Sequence, residues 1–304
     1  MLEFINYDWK PYQDLRRNSK MKYQQIDNLY ATGLAEGTDG LEYTFVPTKK
    51  MHELETEILN MYDQIIVENH ETQVCDEIFY TTKIEGAKTT KKRTMELHNG
   101  AKVDHNNYFS EMMVLGGFHA TKFLNLHSNK IDEKILRKMW EILTDGACDN
   151  SDIAGDLYRI GNVSVGSHMG LNYTLLKPAM DNWITFYNSK DMDDHPFIKA
   201  AILHFTFEFI HPFCDGNGRA GRLLMLNYLI SRGYDKYKAI SISKEIAETA
   251  NGYYNAFDLS DNPYTDCTPF IEYMLNVFAN TEFDLLQELD KEIEKMKSTL
   301  YPDL

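Results

Sequence analysis

The chain has 304 residues, 43 % of them hydrophobic and 12 % aromatic, enough apolar material to bury a sizeable core, so a disordered chain is excluded as the default. The 46 acidic residues outnumber the 31 basic ones for a formal net charge of −15, which repels a phosphate backbone and argues against nucleic acid as a partner. Four cysteines, Cys75, Cys148, Cys214 and Cys267, stand far apart without a CxxC pair, which argues against a zinc cluster or a dense disulfide framework and fits a reducing compartment.

The N-terminal MLEFINYDWK carries acids and no apolar run, so no secretory signal is expected there. The longest apolar stretch, Leu223 to Ile230, contains Asn227 and falls far short of the roughly 20 apolar residues that cross a bilayer, so a soluble, cytoplasmic protein without a membrane partner is expected. Apolar residues three or four apart predict helices over Met51–Ile66 (Leu54, Ile58, Met61, Ile65) and Glu111–Leu124 (Met112, Leu115, Phe118, Phe123), and again over Ile131–Leu143. Arg159 to Tyr173, with Val163 and Val165 alternating among glycines, reads as a short hairpin. Helical spacing resumes over Leu176–Tyr187. It tightens through Ile198, Ile202, Phe205 and Phe209 up to His211-Pro212, where the proline ends or redirects the helix. After a polar, glycine-bearing turn, Arg219–Ser231 is helical again, with Gly233 as its stop. The charged segment Thr281–Leu300, with a thin Leu seam, predicts a surface helix whose charges form a solvated face.

The chemistry concentrates in the turn, which reads His211-Pro212-Phe213-Cys214-Asp215-Gly216-Asn217-Gly218-Arg219-Ala220-Gly221-Arg222. Gly216-Asn217-Gly218 can take positive-φ conformations that turn successive N–H groups into an anion cradle, and the helix dipole behind it favours negative charge. Arg219 and Arg222, three residues apart in the first turn, can clamp phosphate oxygens; the dipole disfavours cations there unless an anion is bound. Asp215 offers a hard oxygen ligand, and Mg²⁺ takes one or two carboxylates together with substrate phosphates. His211 is the neighbouring group able to accept a proton near neutral pH. Taken singly, a histidine beside a proline can be structural and a GNG run can be a plain turn.

Together these residues match the signature HPFx(D/E)GN(G/K)RxxR at all nine specified positions, and the chain on this basis resembles the Fic (Fic/DOC) family of protein AMP-transferases over roughly residues 75 to 280. The resemblance implies an all-α Fic fold, a helical bundle around a central helix-loop-helix with a small β-hairpin flap. It divides the chain into a helical N-terminal region 1–100 with an inhibitory helix at about 78–93, a catalytic core 101–280 and a C-terminal helix 281–304. It implies that His211 deprotonates a Ser, Thr or Tyr hydroxyl of a target protein, which attacks the α-phosphate of ATP and expels pyrophosphate. Asp215 would hold Mg²⁺ or Mn²⁺; Gly216, Asn217 and Gly218 would line the anion hole; Arg219 and Arg222 would meet the outer phosphates; and Phe213 would be a core anchor. Gly218 in place of lysine implies AMP transfer rather than a kinase reaction. Val163, Ser164 and Val165 would belong to a flap that registers the target segment by backbone bonds. Tyr253 and Tyr254 are candidate adenine contacts, with core packing as the alternative.

Thr81-Thr82-Lys83-Ile84-Glu85-Gly86 resembles the family's inhibitory motif (S/T)xxxE(G/N), which implies that Glu85 pairs with Arg222 and denies it to the γ-phosphate. The alternative is a capping box formed by Thr82 and Glu85 within one helix. Ala87 stands where close relatives often have Asn. Rival functions keep the site but remove AMP, use another donor such as UTP, GTP or CDP-choline, or abandon catalysis for a protein-binding adaptor. A homodimer and self-modification are compatible with the motif. The tail after residue 280 is too short and too acidic for a DNA-binding winged helix.

Overall fold

The computed structural model describes residues 2–7, 30–35, 42–66, 70–127, 130–148, 158–165, 168–260 and 266–300. Among the described residues the first elements are two antiparallel strands, β1 (Tyr30–Ala35) and β2 (Glu42–Phe45), with Tyr30 opposite Phe45 and Ala31 opposite Thr44. The register slips before Ala35 meets Glu42, and Gly33, at φ +76°, stands in the slip, where a side chain would be strained. Tyr43 and Phe45 turn the same face of β2 into the core. The N-terminal region, which the resemblance implied to be helical, therefore contains a ribbon.

Eleven α-helices follow among the described residues: α1 (Lys49–Gln64), α2 (His70–Ile84), α3 (Lys91–His98), α4 (Tyr108–Leu126), α5 (Glu133–Thr144), α6 (Leu176–Asn188), α7 (Pro196–Ile210), α8 (Asn217–Ser231), α9 (Ile242–Glu248), α10 (Ala250–Ser260) and α11 (Thr268–Leu300). Between α5 and α6 lies the expected hairpin, as two very short strands, β3 (Ser164–Val165) and β4 (His168–Met169). All-helical architecture with a small flap is thus what the sequence implied.

Three expected elements differ. A single helix over about 78–93 is replaced by α2 and α3 with a turn between them. The cause is Gly86, at φ +85°: its N–H donates to the Lys83 carbonyl at 3.0 Å and that of Ala87 to the Thr82 carbonyl at 3.0 Å, which is a Schellman stop. Thr90 then restarts the chain as α3 by accepting from Arg93 N–H. The final helix begins at Thr268 rather than 281, because its first half carries Phe270, Ile271, Met274, Leu275 and Phe278, all fully buried, while the charged half continues into solvent. The helix after the catalytic turn begins at Asn217, two residues earlier than the apolar spacing marks it.

α7 is the axis of the bundle. Every residue in it except Glu208 is buried, the signature of a helix enclosed on all sides. Its packing partners are chiefly α8 and α11. At its start Glu55, buried on α1, accepts from the N–H groups of Phe197 at 3.1 Å and Ile198 at 3.3 Å and pairs with His195 Nδ1 at 2.8 Å. A carboxylate here satisfies orphan donors and meets the positive end of the helix dipole. The hydrogen bond to Glu55 is also what raises the His195 pKa above its ordinary value, against the effect of burial. A raised histidine pKa gives stability that is complete below the unfolded-state value of about 6.5 and fades as pH climbs through the folded-state value. Urea titrations of wild type and His195→Gln should therefore differ most near pH 6 and converge toward pH 9. A gap that widens with pH would contradict this linkage.

Candidate active site

Pro212 has no N–H to continue α7, so the helix ends at Ile210 and His211 caps it in the left-handed region, at φ +52°, ψ +61°. That conformation is uncommon for a residue with a Cβ and persists only where the surroundings hold it. Its backbone N–H keeps a helical bond to Phe207 at 2.9 Å, and its ring Nδ1 lies 3.3 Å from the Glu208 carbonyl. A carbonyl only accepts, so Nδ1 is the protonated nitrogen and Nε2 the one that can take a proton.

The next residues are fixed by packing and by one amide. Phe213 is fully buried, stacked on Trp140 at 5.3 Å between centroids, with Tyr158 beyond it. Asn217 uses both ends of its side chain on the Phe213 backbone, accepting from its N–H at 2.9 Å and donating to its carbonyl at 2.8 Å. The Asn217 side chain is therefore a loop clamp, and what the segment offers to an anion is backbone. Trp140 Nε1 donates to the Asp215 carbonyl at 2.9 Å. Replacing Phe213 by alanine empties this stack, and urea unfolding should show a loss of about 3–5 kcal/mol.

Gly216, at φ +78°, turns the chain into α8, and among the described residues no side chain caps the first turn. N–H groups at a helix start without a side-chain cap are the arrangement that binds anions. Asp215 sits at the rim, about half exposed, with Oδ2 3.5 Å from Arg219 and Oδ1 accepting from Gly216 N–H at 2.7 Å. Arg219 is buried and aimed toward α5, donating to the Leu143 carbonyl at 3.3 Å.

Arg222, also buried, is held by α2. Its Nε donates to Thr81 Oγ1 at 2.8 Å, and one terminal nitrogen donates to the Thr81 carbonyl at 3.1 Å and to Glu85 Oε1 at 2.7 Å. Glu85 is the cap residue after α2, which is why its side chain can leave the helix and cross to α8. Thr82 instead bonds back to the Ile78 and Phe79 carbonyls in the last turn of α2, so the capping-box alternative does not form. The Glu85 carboxylate lies against Gly218, where a Cβ would collide with its Oε1. A protein carboxylate therefore fills the space beside Gly218, between α2 and Arg222.

Behind Arg222, burial favours the neutral forms of the polar groups. Burial pushes Glu208 up to about 8, with Arg222 pulling the other way, and burial with Arg222 pushes His204 down to about 3. His204 Nε2 lies 2.8 Å from the Tyr253 hydroxyl. Burial alone would weaken the Arg222 cation; Glu85 is the leading contributor that more than offsets it, and the pKa stands above its ordinary value. Of the two tyrosines, Tyr253 is buried against Phe257 and Phe270, whereas Tyr254 is 53 % exposed.

The structure brings His211, Asp215, Gly216, Asn217, Gly218, Arg222, Thr81 and Glu85 to one place; Gly86 shapes the turn beside it. Val163 is half-buried at the flap, and the side chains of Ser164 and Val165 lie outside what is described. Two residues escaped the sequence reading. Glu77, half-buried on α2, accepts from Ser243 N–H at 2.9 Å and Ser243 Oγ at 2.6 Å, clamping α2 onto the start of α9. Its signal was available, since Glu77, Thr81 and Glu85 recur every four residues on one helix face. Arg159 gives no such signal; its N–H donates to the Pro212 carbonyl at 3.0 Å and its Nε to the His211 carbonyl at 2.7 Å.

Residues 130–229 match the model of the Fic/DOC family. A protein adenylyltransferase Fic from Drosophila ananassae is 28 % identical over 208 residues, 67 % of this chain and 40 % of that protein. The chain thus spans about two fifths of the length of the curated relatives it matches. A Fic family protein from Desulfovibrio desulfuricans G20 superposes with a TM-score of 0.70 at 22 % identity, over 80 % of this chain and 76 % of that one. Fic-1 from C. elegans superposes with 0.66 at 19 %, over 80 % and 73 %. These two similarities establish the fold.

Proposed function

We propose that this chain, whose residues 130–229 form a Fic/DOC family domain, is a protein adenylyltransferase that moves AMP from ATP to a hydroxyl of a target protein. One observation carries the reading: the turn that holds His211 and Asp215 leads straight into the N-terminus of α8, and an anionic side chain, Glu85, already bonds Arg222 of that helix at 2.7 Å beside Gly218. An arginine near a helix N-terminus that takes a carboxylate is suited to a phosphate.

His211 Nε2 takes the proton of the target hydroxyl. The oxygen attacks the α-phosphorus, the bond to the β-phosphate breaks, and pyrophosphate carries away the electron pair. The N–H groups at Gly216 to Arg219 receive the charge that develops on the phosphate oxygens, and Arg222 meets the outer phosphates once Glu85 has left it. Asp215 suits Mg²⁺ or Mn²⁺, being a half-exposed hard oxygen donor at the rim of a phosphate cradle. When bound, the metal neutralises the triphosphate. Tyr254, the exposed member of its pair, supplies the adenine contact and Tyr253 backs it from the core. The flap adds a target strand by backbone bonds. In this reading residues 101–280 hold the catalytic core and Glu85 restrains it. Among the described residues no helix is long and apolar enough to cross a membrane; a cytoplasmic target, and self-modification, go with the same reading.

Incubation with ATP labelled at the α- or the γ-phosphate separates the reactions. Stable label from α-³²P and none from γ-³²P is expected on the chain itself or on proteins of a lysate. Label from γ-³²P alone would make the enzyme a kinase and overturn the proposal. UTP or GTP labelled at α and preferred over ATP would correct the donor.

A further inference from the structure

Arg159 lies under the flap, only 5 % exposed, and among the described residues none of its hydrogen-bond partners is a carboxylate. All are backbone carbonyls. Nε donates to His211 at 2.7 Å, one terminal nitrogen to Gly161, and the other to Leu171 and, at 3.3 Å, to Ile210. Ile210 and His211 are the last carbonyls of α7, the negative end of its dipole, which is what makes a buried cation tolerable there. Gly161 precedes β3 and Leu171 follows β4, so both arms of the flap hang on the same guanidinium that grips the catalytic loop. Gly170 leaves the room for this: a Cβ there would come 3.1 Å from the Arg159 terminal nitrogen and 3.2 Å from Val163 Cγ2. The Gly170 N–H in turn closes the hairpin on the Val163 carbonyl at 3.0 Å.

We infer that Arg159 is a positioning residue that sets the flap in register with His211, so that a strand added to the flap presents its hydroxyl to the base. The inference rests on the AMP-transfer reading of the site. A planar fork with five N–H donors can serve carbonyls from three directions at once; a lysine ammonium cannot hold the same geometry. Arg159 touches neither the α8 amides nor Arg222, so nucleotide binding is independent of it. Misplacement of reacting groups by about 1 Å costs on the order of 100-fold in rate.

The test uses the full chain in a Glu85→Gly background, with Arg159→Lys and Gly170→Ala as separate variants. The first keeps the charge and loses the fork; the second keeps the arginine and crowds its seat. Both should lower kcat for AMP transfer from α-³²P ATP to lysate proteins, Arg159→Lys by about 100-fold, with the KM for ATP within about twofold of the parent. Transfer within twofold of the parent in both variants overturns the inference. So does a loss in which the KM for ATP rises in parallel, since that marks a merely structural role. Hydrogen exchange judges the inference apart from activity: in Arg159→Lys the amides of Gly170 and His211 should exchange at least tenfold faster while the interior of α8 is unchanged. Unaltered exchange at Gly170 overturns it. If the Glu85→Gly parent takes no label at all, the transfer reading fails, and exchange alone decides whether Arg159 couples flap and loop.

Discussion

Glu85→Gly is expected to raise the proposed AMP transfer by about 10- to 100-fold. The Glu85 carboxylate makes a charge-assisted hydrogen bond to Arg222 at 2.7 Å and fills the space over Gly218. Such bonds contribute about 1.5–3 kcal/mol, and each 1.4 kcal/mol is a factor of ten, which sets the range. The mutation removes the competitor without releasing α2. Glu77 still clamps that helix to Ser243, and Thr81 still accepts from Arg222, so the fold should hold and the gain should appear as tighter, productive ATP binding. Glu85→Gln separates charge from bulk: it keeps an acceptor for Arg222 but no longer repels the triphosphate, and should fall between wild type and Glu85→Gly. Initial rates of α-³²P incorporation against ATP concentration measure all three. Equal rates in the three proteins would refute the restraint. If, instead, Glu85→Gly fails to clear AMP from a pre-modified protein that wild type clears, the reaction runs in the removal direction and Glu85 serves it.

If His211 is the base proposed, His211→Ala and His211→Asn should both lower transfer by about 10² to 10⁴, the contribution of a positioned general base. The pair is needed because His211 is in the left-handed region, at φ +52°. Alanine is strained there, whereas asparagine adopts it more readily, so the Asn variant keeps the loop and loses the base. ATP affinity, read by titration, should stay near that of wild type in His211→Asn, because the phosphate cradle belongs to α8. Retention of more than a tenth of the transfer rate in His211→Asn would assign the base to another group. A biological effect of the protein that survives both variants would favour the adaptor reading.

The sequence by itself determined the parts of this protein that depend on local order. Helical spacing gave α1, α4, α5, α6 and most of α7 and α8, because a 3.6-residue period is a property of neighbouring positions. Pro212 and the glycines of the turn announced a redirected chain, and the motif named the residues around it. The tertiary structure decided everything that joins distant segments. Periodicity could not show that Gly86 stops α2 so that Glu85 becomes a cap free to cross 137 positions to Arg222. It could not show that the side chain of Asn217 is spent on Phe213, or that Tyr253 and not Tyr254 is buried. It could not separate the charged half of α11 from the apolar half that packs inside the bundle. Arg159 is the clearest instance. Its partners are carbonyls, which every residue has, so no pattern of residue types encodes them; only the folded backbone, by ending α7 beside the flap, turns an unremarked arginine into the joint between them.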